Sequence, residues 1–158
     1  MSQLTPRFSA DRTVREYTEQ HYLPAATAYL DRSANKGEKG KQMTDAMDFM
    51  KQKWDSLRFG EIKLTTIEDQ HNFNVQIFLI DLDPDLVQVE LFADGANGEP
   101  PTILKMKRET ISEATTKTYY YYASVSSVRP ASDYTPRIIT DIPGVSVPLE
   151  SALILWQH

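Results

Sequence analysis

The 158-residue chain contains no cysteine, which excludes a disulfide framework, a thiolate nucleophile and a thiolate zinc site. No apolar run approaches the roughly 18 residues that cross a bilayer, and the opening MSQLTPRFSADR lacks the apolar core of a signal peptide. A cytoplasmic protein with no membrane partner is therefore expected. Glycine is scarce, at six residues, and none of the six falls in a P-loop, a Rossmann fingerprint or a GxSxG elbow. The three histidines, His21, His71 and His158, make no metal-ligand spacing such as HExxH. Acidic residues outnumber basic ones by 22 to 17, a formal charge of -5, and this argues against a nucleic-acid partner, which calls for a basic excess.

What remains is the composition of an ordinary globular protein, with 41% hydrophobic and 25% charged residues. The length suits one domain with a core plus a helical extension. Ser9 is a candidate N-cap, and Val14, Tyr17, His21, Ala25 and Ala28 follow at helical spacing, with a kink or break expected at Pro24. Asp31 to Lys41, DRSANKGEKGK, has two glycines, many charges and no large apolar residue, so an exposed connection is expected there. A second amphipathic stripe, Met43, Met47, Met50, Trp54 and Leu57, predicts another helix.

From Arg58 the period changes to two. Ile62 and Leu64, then Phe73, Val75, Ile77 and Leu79, then Val87, Val89 and Leu91 alternate with polar residues, and turn clusters lie at Glu68 to Asn72, Asp81 to Asp85 and Asp94 to Pro101. Further strands are expected at Thr102 to Arg108, Lys117 to Val128, Tyr134 to Thr140 and Leu149 to Trp156. The fold expected is α+β: an N-terminal helical segment of two helices over residues 1–57, then an antiparallel immunoglobulin-like β-sandwich of about seven strands over 58–158, with a small barrel as the alternative.

Four consecutive tyrosines, Tyr119 to Tyr122, are the most conspicuous feature of the β region. Alternation puts Tyr119 and Tyr121 on one face with Ala123 and Val125, and Tyr120 and Tyr122 on the other with Ser124 and Ser126. Tyr120 and Tyr122 are thus the candidate carbohydrate-binding pair, able to stack on sugar rings, against the alternative that they pack under a loop or helix. Asp81, Asp83, Asp85, Asp94 and Glu99 resemble calcium ligands in type but not in spacing, and turn chemistry accounts for them. Lys36, Lys39, Lys41, Lys105, Lys107 and Arg108 form modest basic groups diluted by Glu38 and Glu109. No catalytic residue and no metal ligand is assigned.

The run PRFSADRTVREYTEQHYLPA, Pro6 to Ala25, together with RFGEIK (Arg58 to Lys63), DLDPDLVQVELFADG (Asp81 to Gly95) and GVSVPLESALILWQ (Gly144 to Gln157), resembles the C-terminal region of bacterial α-glucan (glycogen, starch or maltodextrin) phosphorylases. The resemblance covers most of the chain and implies a helical stretch followed by a β-rich tail. It places Arg12, Arg15, Glu16 and Tyr17 in the closing helix of the catalytic body, in packing and salt bridges, while Thr13, Thr18, Gln20 and His21 depart from the usual pattern. In the family the catalytic site and the lysine that holds pyridoxal phosphate lie upstream, and no stretch here matches that lysine motif. The resemblance thus implies a non-catalytic region whose parent enzyme releases glucose 1-phosphate from α-1,4-glucan; the cofactor belongs to the parent and none is expected in this chain. A glucan-binding β-sandwich module is the alternative, and a free-standing small enzyme a weaker one. The implied partners are the rest of the phosphorylase chain, α-glucan, and a second copy through the helical segment.

Overall fold

The structure is a computed structural model that describes residues 14–15, 18–19, 23–95, 98–109 and 117–158, with the backbone alone at 24, 28, 31, 35 and 36. The chain forms two compact units, 1–45 and 46–158. In the first, Val14 and Arg15 are helical, and helix α1 runs over Leu23–Lys53, ending inside the second unit. Pro24 stands in the first turn of α1, where its missing N–H would have had no helical partner in any case. The expected Ser9 cap and the residues Arg12, Glu16, Tyr17 and His21 lie outside the described residues.

The connection expected over Asp31 to Lys41 is not there, and neither is a hairpin turn at that place: α1 continues through it. Its Asp, Arg, Ala, Lys and Glu residues are all compatible with helix, and two glycines weaken a helix by only about 1 kcal/mol each. Gly37 takes φ +78 midway along, a conformation open to a residue without Cβ. At its C-terminal end α1 carries Met50 into the core and passes into a 3₁₀ turn, Trp54–Ser56, rather than running on as α-helix to Leu57. Met50, Trp54 and Leu57 are all buried, so the last turns of the helix belong with the strands and not with the helical unit expected to end at residue 57.

Among the described residues eight strands follow: β1 (Arg58–Ile67), β2 (Gln70–Phe78), β3 (Val87–Ala93), β4 (Thr102–Lys105), β5 (Lys107–Arg108), β6 (Thr118–Ser126), β7 (Thr135–Thr140) and β8 (Ile154–Trp156). They form two antiparallel four-stranded sheets, ordered β1-β2-β6-β5 and β4-β3-β7-β8. The count exceeds the expected seven because the stretch Thr102 to Arg108 is two strands. β4 pairs with β3 in one sheet, β5 with β6 in the other, and Met106 between them is buried and donates its N–H to the Val89 carbonyl at 2.9 Å. The chain changes sheets at that one residue.

Alternate residues of β2 (Phe73, Val75, Ile77), β3 (Val87, Val89, Leu91) and β6 (Tyr121, Ala123), with Ile138 of β7, fall in one buried cluster. Both sheets therefore share a core, each large aliphatic contributing roughly 1.5–3 kcal/mol by leaving water. The β1–β2 turn holds only Glu68 and Asp69, with Ile67 opposite Gln70 and Glu68 at φ 53. His71, expected in that turn, is instead the second residue of β2 and is buried: its Nε2 donates to the Arg129 carbonyl at 3.2 Å, which leaves Nδ1 to accept from the Thr66 hydroxyl at 2.8 Å.

Candidate functional site

Among the described residues two places in the β unit gather polar and aromatic side chains. The first is the outer face of sheet β1-β2-β6-β5. Register fixes its rows: Lys63, Asn74, Tyr122 and Lys107 stand across four strands, Gln76 stands beside Tyr120, and Thr65, Asn72 and Ser124 make a third row. The tyrosines divide as their alternation predicts, with Tyr121 buried at 4% exposure, Tyr122 exposed at 45% and Tyr120 half-buried.

Tyr120 is held in place by a chain of contacts that begins at a glycine. A register shift between Phe59 and Ile62 breaks the even pairing of β1 with β2, which turns the Glu61 N–H toward the Gln76 side chain; Gln76 Oε1 accepts it at 3.1 Å and Gln76 Nε2 donates to the Tyr120 hydroxyl at 3.0 Å. Any side chain at Gly60 would collide with the Gln76 amide and, at 2.8 Å, with the Phe78 ring. Ser124 Oγ donates to Asn72 Oδ1 at 2.6 Å one row away. The result is a surface of amides and hydroxyls, flanked by Lys63 and Lys107, with one tyrosine locked and its neighbour open.

The second place is a cleft of about 570 Å³ where the chain changes sheets, lined by Pro84, Val87, Met106, Lys105, Arg108 and Tyr121 among others. Arg108 on β5 pairs with Asp85 at 2.7 Å, and Lys105 on β4 with Asp141 at 3.2 Å. Tyr121 stands opposite Arg108 in register. Its hydroxyl is buried and makes no hydrogen bond among the described residues, a situation that costs about 1–3 kcal/mol. Burial pushes the Tyr121 phenol above its ordinary pKa, while the charge of nearby Arg108 and its N–H groups beside the hydroxyl work the other way; the two groups are close, but no hydrogen bond of good geometry joins them.

The remaining candidates are brought together only in part. Asp81, Asp83 and Asp85 do not converge. Asp81 meets Lys117 at 2.9 Å and Lys53 at 3.6 Å, and the Lys117 hydrogen bond, followed by the two positive charges, holds its carboxyl below the usual range. Asp83 accepts from the Asp85 N–H at 2.9 Å and caps a 3₁₀ turn, and Asp85 serves Arg108. Asp94 and Glu99 are exposed, and among the described residues no group of three acidic or histidine side chains forms a metal cradle. Lys105, Lys107 and Arg108 do come together around the cleft, whereas Lys39 and Lys41 lie on α1 with the backbone of Lys36. Met47 and Met50 of the methionine stripe pack on the core. The cleft itself had no signature in the chain order, because Arg108 and Tyr121 meet only through a strand register.

No family model matches the chain, and no curated protein matches it. Among the described residues no helix is long and apolar enough to cross a membrane.

Proposed function

We propose that the chain is a non-catalytic C-terminal region of a bacterial α-glucan phosphorylase, built as a helical segment leading into an immunoglobulin-like β-sandwich. The observation that carries this reading is order: a long helix runs through a single 3₁₀ turn directly into a two-sheet β unit, the sequence of parts that the resemblance implies. The strand order supports the immunoglobulin-like type. With β1, β2, β6 and β5 taken as strands A, B, E and D, and β3, β7 and β8 as C, F and G, the two sheets read ABED and CFG with β4 added beside β3.

Three of the four stretches that carry the resemblance lie in the β unit. RFGEIK begins β1 and contains the Gly60 irregularity, DLDPD supplies Asp81, Asp83 and Asp85, and GVSVPLES holds a turn in which the Glu150 carboxylate accepts from the Ser146 N–H at 2.9 Å. Pyridoxal phosphate belongs, in this reading, to the catalytic body. Lys105 in the cleft is 64% exposed and tied to Asp141, which does not fit a Schiff-base lysine held in a closed pocket. The test is an assay of the chain with maltoheptaose and inorganic phosphate, with and without pyridoxal phosphate. No glucose 1-phosphate is expected, and turnover above background would overturn the reading.

A second reading, a glucan-binding module, is favoured by the locked Tyr120 and exposed Tyr122 amid Asn72, Asn74 and Gln76, a platform suited to stacking and to hydroxyl hydrogen bonds. Amide shifts on titration with maltoheptaose should then map to residues 72–76 and 120–124 and vanish in a Tyr120→Ala, Tyr122→Ala double variant. Their absence would leave the face structural.

A further inference from the structure

The cleft at the sheet crossover has a chemistry that the outer face lacks. Each of its ion pairs sets a donor beside an acceptor, Arg108 with Asp85 and Lys105 with Asp141. Tyr121 also lines the cleft, and its buried hydroxyl has no hydrogen bond of good geometry among the described residues. Pro84, Val87 and Met106 add an apolar wall. A small inorganic anion would fill little of about 570 Å³ and would find the cations Lys105 and Arg108 already paired with carboxylates. A sugar ring suits the same lining on every side: adjacent hydroxyls both donate and accept, as each ion pair does, and the ring's C–H face needs an apolar wall.

We propose that this cleft binds a saccharide of one or two rings, with Arg108, Asp85, Lys105 and Asp141 taking ring hydroxyls and the Tyr121 hydroxyl bonding the deepest one. The hydroxyl has no accessible area of its own, so the ligand reaches it when Arg108, whose side chain is 38% exposed, swings toward solvent. The cleft shares a ligand class with the outer-face reading and, apart from Lys107, which stands in the Tyr122 row and also lines the cleft, none of its residues, and each stands or falls alone.

The distinguishing variant is Tyr121→Phe, which removes one oxygen and keeps the ring. If the hydroxyl serves only a ligand, the variant folds with an unchanged or higher Tm, because a buried group without a partner is gone. Maltose is the probe, followed by amide shifts at residues 84–89 and 105–108. Saturable shifts there, weakened at least tenfold in Tyr121→Phe and in Asp85→Asn but retained in the Tyr120→Ala, Tyr122→Ala double variant, are the expected result. The proposal is overturned if maltose leaves these residues unmoved, if Tyr121→Phe binds as the wild type does, or if its Tm falls, which would show the hydroxyl bonded within the fold. Larger shifts with inorganic phosphate at the same concentration would also overturn it and make the cleft an anion site.

Discussion

The outer faces of the two sheets are built in opposite ways. On β4-β3-β7-β8, the Arg137 guanidinium lies 4.8 Å from the Phe92 ring centre and 5.2 Å from that of Trp156, while its Nη2 meets Glu90 Oε2 at 2.7 Å. Gln88 donates to the other Glu90 oxygen. The pair is nearly closed to solvent, with side-chain exposures of 13% and 7%, and its charges and rings are spent on one another. On β1-β2-β6-β5 the described residues show no such buried clamp: Lys63 meets Glu61 at 3.3 Å with side chains 67% and 66% exposed, one bond from Gln76 fixes Tyr120, and Tyr122 stands open. A face whose polar groups satisfy each other is a structural face. One that holds a few groups rigid and leaves others free is a face on which something else can bind.

Removing the clamp should give the largest effect. Arg137→Ala leaves Glu90 buried without its partner, and a loss of about 3 kcal/mol is expected from urea unfolding; a loss under 1 kcal/mol would mean that this face is no more closed than the other. Next comes Gly60→Ala, where the added methyl pushes Gln76 and Phe78 aside. About 1–2 kcal/mol is expected, with the Gln76 side-chain amide resonances shifting as the contact to Tyr120 is lost. Tyr122→Ala should change stability by no more than about 0.5 kcal/mol, the usual range for an exposed position, and a greater loss would show the open face to be packed.

The smallest expected effect is a pH dependence on the inner side of the same strand. The Tyr121 pKa is raised above 10.0 in the folded chain, so the folded state holds its proton more tightly than the unfolded state does. The associated stability is whole below pH 10.0 and declines as pH rises from there through the folded value. Equilibrium unfolding of wild type and Tyr121→Phe between pH 9 and pH 11, on the order of one unit either side, should show a steeper alkaline decline in the wild type. Equal slopes would place the hydroxyl in a solvated setting.

Much of the β unit was legible in the chain because alternation reports burial directly. Val75, Ile77, Val89 and Leu91 face the core as their period of two requires, and the tyrosine run divides between faces for the same reason. The helix was less legible. Asp31 to Lys41 has no large apolar residue and so carries no helical stripe, although an exposed helix needs none. The candidate sites divide along the same line: Tyr120 and Tyr122 could be named from alternation, whereas the Arg108, Asp85 and Tyr121 cluster could not, since its members come from three separate segments.

The sequence by itself determined which residues of each strand would be buried, where most strands would lie and that helix would precede them, because hydrophobic periodicity acts within a few residues and is written along the chain. Only the tertiary structure decided that Thr102 to Arg108 would serve two sheets, that Gln76, packed beside Gly60 on one side, would hold Tyr120 on the other, and that a cleft would open beside Tyr121. Each of these depends on which strands pair and in what register, and that choice is made by contacts between residues far apart in sequence.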